Sequence, residues 1–127
     1  MKKMDISNTR NWYEDSYKLS GFDAQRSYPN EELLRFMGRN FFCIPYEERS
    51  NYRILEIGCG SCANLWMVSR EGFAAYGIDL SETAIEFGKI MIKKWGGTAA
   101  ELKVGSMTHL PYKDDYFDAV LDVFSSY

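Results

Sequence analysis

The sequence has little of three things that would point to a nucleic-acid, membrane or secreted protein: clustered positive charge, long apolar runs and apolar residues close to its start. Its 127 residues carry a formal net charge of -3, from 15 basic and 18 acidic side chains spread along the chain. There is thus no basic footprint for nucleic acid and no polybasic membrane segment. The longest apolar runs, such as Asp118 to Phe124, are far shorter than a membrane span. No apolar stretch follows the charged residues 1–5, which predicts no signal peptide and a cytoplasmic location.

Cysteine is scarce and odd in number, which argues against a disulfide framework and for reduced thiols. Cys59 and Cys62 have the C-x-x-C spacing, so a redox or zinc site is an alternative interpretation of this segment. A structural zinc normally takes four ligands, and the only further candidates are Cys43 and His109. The glycines around the pair explain the segment better, and we predict no metal site.

The sequence also lacks internal repeats, low-complexity tracts and linkers rich in Pro, Gly or Ser. Its length suits one domain with one core. We divide it into an N-terminal helical or lid segment, residues 1–50, and a domain at residues 51–127. In the first segment apolar residues recur at three- and four-residue steps, which predicts an amphipathic helix from Pro29 to about Phe42.

From residue 51 onward, short apolar strands alternate with helices. Strands are predicted at Arg53–Ile57, Ala74–Ile78, Ala100–Val104 and Phe117–Val123. Helices are predicted at Ser61–Arg70, which Gly72 ends, and from Ser81 to Gly96. Strands that alternate with helices of this length indicate a parallel sheet with right-handed crossovers. The predicted fold class is therefore α/β.

The turn after the first strand has the properties of a nucleotide site. Gly58 permits a tight exit from the strand, and Gly60 lets the backbone approach a ligand with no Cβ in the way. The helix that follows points free N–H groups toward the crevice at the carboxyl ends of the strands. Asp79 ends the second strand about twenty residues further on, where a carboxylate can accept hydrogen bonds from both hydroxyls of a ribose.

Two cofactor classes use such a unit. As a dinucleotide fingerprint, the turn reads G-x-G-x-x-A from Gly58 to Ala63. Glu56 favours the other class, S-adenosylmethionine, because a carboxylate at this position would face a pyrophosphate with like charge. The same carboxylate can attract the cationic methionyl end of S-adenosylmethionine, directly or through water.

Four motifs, in order along the chain, resemble those of class I S-adenosylmethionine-dependent methyltransferases. Residues 54–61 (ILEIGCGS) are similar to the first motif of that family, and residues 77–81 (GIDLS) to its ribose-binding motif. Residues 105–111 resemble the segment that flanks the adenine, and residues 117–122 (FDAVLD) match the fourth-strand pattern. The resemblance covers residues 53–124. It implies a Rossmann-like, mainly parallel sheet, the first four strands of the methyltransferase fold, with flanking helices.

That resemblance implies a set of cofactor-binding residues along the first two strands. Gly58, Cys59 and Gly60 would lie along the methionyl part and the ribose. Asp79 would hold the ribose hydroxyls, and Glu56 would attract the cationic methionyl end.

The implied adenine and sulfonium contacts come from the later strands. Leu80 would pack on the adenine, with Ser106 and Met107 flanking its edge and face. Asp122 would line the crevice beside the sulfonium, together with residues 123–124. The resemblance implies no particular catalytic residue.

The implied activity is transfer of a methyl group from S-adenosylmethionine to an unidentified acceptor, which we expect to be a small molecule. No Asn/Asp-Pro-Pro-Tyr stretch follows the fourth strand, which disfavours a nucleic-acid substrate. Two other interpretations stay open: a non-catalytic S-adenosylmethionine-binding fragment or half-domain that needs a partner chain, and an NAD-dependent oxidoreductase. Tyr13, Tyr17, Arg26 and Tyr28 could form a lid over cofactor and acceptor, or else cover the edge of the sheet.

The chain departs from the family pattern in three ways. Cys62 stands where the family often has a third glycine, which is tolerable if its φ angle is negative. Ser106 replaces a usual acid, so we expect weaker adenine binding rather than none. The family sheet has seven strands, whereas the fourth predicted strand here would have an open apolar edge. We expect either a fragment of a longer enzyme or a homodimer in which a second copy covers that edge.

Overall fold

Four parallel strands form the centre of the structure, a computed structural model that describes residues 28–97, 99 and 101–122. The strands are β1 (Arg53–Ile57), β2 (Ala74–Asp79), β3 (Glu101–Val104) and β4 (Ala119–Leu121). Their order in the sheet is β3-β2-β1-β4, and each neighbouring pair is parallel. The chain therefore builds the sheet outward from β1 to β3 and then crosses back to place β4 on the other side of β1.

Helices precede β1 and connect β1 to β2 and β2 to β3, whereas a loop leads from β3 to β4. The described residues form the α-helices α1 (Glu31–Asn40), α2 (Leu65–Arg70) and α3 (Glu82–Lys94), and the 3-10 helix Tyr46–Asn51. The parallel sheet and its flanking helices confirm the predicted α/β fold class. Within these ranges no helix is long and apolar enough to cross a membrane.

The three α-helices pack on one face of the sheet. Side chains alternate between the two faces of a strand, so Ile54 and Ala75 face the helices, whereas Leu55 and Tyr76 face the opposite side. The helical residues buried in this layer include Leu33, Met37, Leu65, Trp66, Ile85 and Ile92. The apolar stripe of α1 thus packs into the same core as the helices of the following domain.

Aromatic side chains from the loop between β3 and β4 cover the other face. Tyr112, Tyr116 and Phe117 surround Tyr76 of β2, with ring centroids 5.1 to 6.0 Å from that of Tyr76. The guanidinium of Arg53 lies 4.2 Å from the centroid of the Tyr116 ring, a favourable cation–π geometry. This aromatic cluster closes the second half of the core.

β4 is shorter than the predicted strand Phe117–Val123. Phe117 turns into the aromatic cluster, and Asp118 joins the start of β1 instead of the strand itself. The Asp118 N–H donates to the Arg53 carbonyl and the Asp118 carboxylate accepts the Arg53 N–H, both at 2.8 Å. β4 proper therefore begins at Ala119, and Val123 lies outside the described residues.

Two helices begin later than predicted. α2 starts at Leu65 instead of Ser61, because Cys62 has a φ of +66°, which an α-helix does not accommodate. α1 starts at Glu31, after its N-cap Asn30, whose side chain accepts hydrogen bonds from the second and third helical N–H groups.

The other predicted boundaries agree closely with the structure. β1 has the predicted bounds, and β2 is one residue longer than predicted, ending at Asp79. Ser81 caps α3, with its Oγ accepting the Ala84 N–H at 3.0 Å. Gly72 and Gly96 follow α2 and α3 with φ angles of 96° and 82°, the left-handed conformation that ends many helices.

Candidate functional site

The carboxyl ends of the strands bring the predicted site residues to one edge of the sheet. In sheet order the row contains Ser106 and Met107 after β3, Asp79 and Leu80 at the end of β2, residues 56–60 at the end of β1, and Asp122 after β4. With strands about 4.8 Å apart, this row is roughly 14 Å long. Open parallel sheets bind ligands at this edge, where the strand order reverses, and the reversal here lies between β1 and β4.

Asp79 is the buried centre of the row. One carboxylate oxygen accepts the Gly60 N–H at 2.8 Å, and the other accepts the Ser81 N–H at 2.9 Å. Its side chain is only 5% exposed. These two backbone contacts orient the carboxylate at the end of β2.

Backbone hydrogen bonds extend the sheet beyond the regular strands and fix the turns around Asp79. The Cys59 N–H donates to the Ile78 carbonyl at 3.1 Å, which holds the glycine turn against the end of β2. On the other side, the Gly105 N–H donates to the Asp79 carbonyl at 2.8 Å. The segments that follow β1 and β3 are therefore held on either side of the Asp79 carboxylate.

Cys62 is the residue at which the turn differs from expectation. Gly58 and Gly60 have positive φ angles of 64° and 55°, and Cys62 has one of 66°. The condition of a negative φ is therefore not met, and the left-handed conformation costs a non-glycine residue about 1 kcal/mol. Its fully buried thiol packs against α3, 2.6 Å from where a Cβ on Gly88 would stand.

The two thiols of the turn are reduced and buried. A hydrogen bond with the Cys62 thiol, followed by burial, raises the pKa of Cys59 well above its usual range. Because the thiolate is the nucleophile and the metal ligand, the raised pKa makes the Cys59 thiol a poor candidate for redox or metal chemistry. In the part of the chain that the structure describes, no three His, Cys, Asp or Glu side chains gather as a metal site would need.

Glu56 belongs to a buried chain of hydrogen bonds. Its carboxylate is 2% exposed and accepts the Asn64 side-chain N–H at 2.7 Å. The Asn64 carbonyl oxygen accepts the backbone N–H of Asn30 at 2.8 Å. The two hydrogen bonds of the Asn64 side chain thus connect the end of β1, the start of α2 and the N-cap of α1.

The residues predicted to flank an adenine are half-buried beside Asp79. Leu80 directly follows it, and Met107 lies just beyond β3. The Ser106 hydroxyl is 2.7 Å from the Thr108 hydroxyl and also accepts the Thr108 N–H at 3.1 Å. Asp122 is exposed and, with Asn30 of α1, lines a cleft of about 340 Å³.

Sequence reasoning missed Asn64, whose only signal is an asparagine between the glycine turn and an apolar helix. The lid stays a prediction, because Tyr13, Tyr17 and Arg26 lie outside the described residues. Residues 123–124, predicted beside the sulfonium, lie outside them as well. Tyr28 is described: it is largely exposed, and its ring centroid lies 5.9 Å from that of Trp95.

Comparisons with known proteins agree with this arrangement. Residues 54–127 match the family described as a methyltransferase domain. The chain is 32% identical over 107 residues to norajmaline N-methyltransferase of Rauvolfia serpentina, a match that covers 83% of this chain and 35% of that protein.

Two solved structures are similar as well. PKMT2 from Rickettsia typhi in complex with AdoHcy is 32% identical, with a TM-score of 0.52, over 76% of this chain and 19% of that one. A methyltransferase from Thiobacillus denitrificans in complex with S-adenosyl-L-homocysteine is 24% identical, with a TM-score of 0.55, over 94% of this chain and 44% of that one.

The fold is that of a Rossmann-like α/β protein, and the predicted site residues lie at the carboxyl ends of its strands. The family match covers more than half of the sequence, and the chain belongs to the methyltransferase-domain family. The resemblance predicted from four sequence motifs is therefore confirmed. The chain spans about a third of the length of the curated relative and less than half of either solved neighbour.

Proposed function

We propose that this chain binds S-adenosylmethionine along the carboxyl ends of β1, β2 and β3 and forms the cofactor-binding part of a methyltransferase. The observation that carries the proposal is the contact between Asp79 and the glycine turn. The buried Asp79 carboxylate accepts the Gly60 N–H at 2.8 Å. An acceptor for the ribose hydroxyls and the backbone of the glycine turn therefore lie side by side. The AdoHcy complex of the Rickettsia neighbour, at 32% identity, supports the same cofactor.

The residues in the row fit the parts of S-adenosylmethionine in order. Glu56 and the turn Gly58–Gly60 would hold the methionyl part, and Asp79 would accept the ribose hydroxyls. The half-buried Leu80 would pack on the adenine ring. Ser106 and Met107 would flank its edge and face, and Asp122 would lie beside the sulfonium, as proposed from the motifs.

The mechanism follows from positioning. When bound, S-adenosylmethionine supplies a sulfonium methyl group that an oxygen, nitrogen or carbon nucleophile attacks in line. The chain's own residues bind and orient: Asp79 and the glycine turn fix the ribose, and Glu56 fixes the amino-acid end. Correct placement alone can supply much of the rate of such a reaction. No residue of this chain is therefore proposed as a general acid or base.

We propose a small-molecule acceptor, and the name of one curated relative, norajmaline N-methyltransferase, supports it. The absence of an Asn/Asp-Pro-Pro-Tyr stretch and of a basic surface run argues in the same direction. A cytoplasmic location remains a prediction from the sequence. So does a homodimer that covers the exposed edge of β4, where Val120 is 53% exposed.

A thermal unfolding experiment tests the cofactor. We expect S-adenosylhomocysteine at about 100 Kd to stabilise the chain by about 2.7 kcal/mol, and NADH to leave the melting temperature unchanged. Stabilisation by NADH alone would favour the oxidoreductase, and no response to either ligand would overturn the proposal.

Light scattering on the same samples tests the homodimer. Binding by a monomer that transfers no methyl group would identify a cofactor-binding module that needs a partner chain.

A further inference from the structure

Asn64 occupies the N-cap position of α2, where an asparagine usually binds its own helix. Its backbone is helical instead, with φ of -90° and ψ of -42°, and its side chain makes no capping hydrogen bond. The side chain instead reaches Glu56 of β1 and Asn30, and the residue is only 4% exposed. An asparagine buried at a cap position but not used as a cap points to another role for its amide.

The two ends of the Asn64 amide are used in opposite senses. Nδ2 donates to the Glu56 carboxylate at 2.7 Å, and Oδ1 accepts the Asn30 backbone N–H at 2.8 Å. The orientation of the amide is therefore fixed, because a carboxylate only accepts and a backbone N–H only donates. Aspartate, the isosteric alternative, could keep the contact with Asn30 but could not donate to Glu56.

Glu56 needs such a partner if its charge is to act at one place. A glutamate side chain has several rotatable bonds, and ordering it costs conformational entropy. A hydrogen bond to a charged group is stronger than one between neutral groups, so the 2.7 Å contact selects one carboxylate orientation before any ligand arrives. Asn30 begins α1, so the same amide also secures the start of that helix.

We propose that Asn64 is a positioning residue: it orients the Glu56 carboxylate toward the amino group at the amino-acid end of the cofactor, and fixes it to the start of α1. This inference rests on the proposed function, since it concerns how that cofactor is held. It assigns Asn64 no contact with the cofactor itself. The consequence is a selectivity that depends on the amino-acid end of the ligand.

The test compares S-adenosylhomocysteine with 5′-methylthioadenosine, which has the same adenosine part and no amino-acid end. We expect Asn64→Asp to weaken S-adenosylhomocysteine by about tenfold or more, because the orienting bond is lost and a second carboxylate competes. The affinity for 5′-methylthioadenosine should change less than about twofold, the size of effect expected where no contact with the ligand depends on Glu56. The matched control is Asn40→Asp, the same change on the exposed end of α1, which should alter neither affinity.

A second variant separates positioning from simple stabilisation. Glu56→Gln/Asn64→Asp restores the hydrogen bond with donor and acceptor exchanged and keeps the wild-type net charge. We expect its melting temperature to recover relative to Asn64→Asp, while the preference for S-adenosylhomocysteine stays low because the charge has moved. If Asn64→Asp does not fold, this variant carries the ligand comparison alone.

Three results would overturn the inference. Equal losses of both ligands in Asn64→Asp would mean that Asn64 only stabilises the turn. Full recovery of S-adenosylhomocysteine affinity in the exchanged variant would mean that the location of the charge is unimportant. Failure of the wild-type chain to bind either ligand would overturn the proposed function, and this inference with it.

Discussion

At the scale of single residues, Cys62 of the glycine turn and Gly88 of α3 fit closely against each other. The Cys62 thiol occupies the space that a side chain on Gly88 would need, 2.6 Å from the position of its Cβ. Cys62 itself has the left-handed backbone that glycine adopts more easily. A side chain at this position of the turn, where the family often has a glycine, is thus accommodated by a glycine on α3.

This pairing predicts strong coupling between two substitutions. Gly88→Ala alone should destabilise the fold by about 1 to 3 kcal/mol, because the new methyl group overlaps the thiol. In Cys62→Gly/Gly88→Ala the methyl group takes the space of the thiol and the backbone strain is removed. We expect a coupling free energy of at least about 1 kcal/mol from urea unfolding of the four proteins.

Gly38 provides the control for that cycle. It lies in α1, and a Cβ added there would meet nothing within 4 Å. Gly38→Ala should therefore stabilise the chain by about 0.5 to 1 kcal/mol through helix propensity alone. Additive effects of Cys62→Gly and Gly88→Ala would show that the thiol and α3 are not in contact.

Ser106 is the second residue that departs from the family pattern. A carboxylate at this position is a stronger acceptor for the adenine amino group than a hydroxyl. We expect Ser106→Asp to bind S-adenosylhomocysteine several-fold more tightly, measured by calorimetry. The new carboxylate can also accept the Thr108 N–H, as the Ser106 hydroxyl does. The control is Ser50→Asp, on the exposed 3-10 helix, which should leave the affinity unchanged. Weaker binding by Ser106→Asp would contradict the placement of Ser106 beside the adenine.

At the scale of elements, local signals decided which boundaries the sequence could predict. β1 is a short apolar run that ends at a glycine, and α3 has a serine cap before it and a glycine after it. Each of these signals lies within a few residues of the boundary that it predicts. The start of α2 depends instead on Cys62 packing against Gly88, and the start of β4 on Phe117 packing against Tyr76. Contacts between residues distant in sequence leave no periodic pattern, so these boundaries were predicted too early.

The aromatic layer on the second face should make stability depend on alkaline pH. Burial, followed by the nearby Glu101 carboxylate, raises the pKa of Tyr112 to about 12. The hydrogen bond with Tyr116, followed by burial, raises the pKa of Tyr76. In the unfolded chain a tyrosine loses its proton at about pH 10. Above that pH the folded chain retains protons that the unfolded chain has lost, so the free energy of unfolding falls as pH rises toward 12.

Urea unfolding at about pH 9 and about pH 11, on either side of the ordinary tyrosine pKa, measures this effect. We expect the loss of stability between the two conditions to be smaller in Tyr112→Phe than in the wild type. Tyr28→Phe, a change at an exposed ring, should lose as much as the wild type. An equal loss of stability in all three proteins would show that Tyr112 does not contribute to the pH dependence.

At the scale of the whole molecule, strand order brings together residues that are far apart in sequence. Parallel strands end at one edge, so an acid or a glycine after each strand could be assigned to a common site from the sequence alone. The contacts among them could not be predicted: Asn64 joins Glu56 to Asn30 of α1 only because α1 packs on the same face as α2. The helix of the N-terminal segment, α1, contributes Leu33 and Met37 to the same core.

The binding of S-adenosylhomocysteine to Asp79→Asn, followed by calorimetry, tests the site most directly. Asp118→Asn is the matched control, because the Asp118 carboxylate also accepts a backbone N–H at 2.8 Å but at the opposite end of the sheet. We expect the wild type and Asp118→Asn to bind with similar micromolar affinity. Asp79→Asn should bind at least about tenfold more weakly, because an amide replaces the charged acceptor of the ribose hydroxyls. Wild-type affinity in Asp79→Asn would contradict the assignment of this edge as the cofactor site.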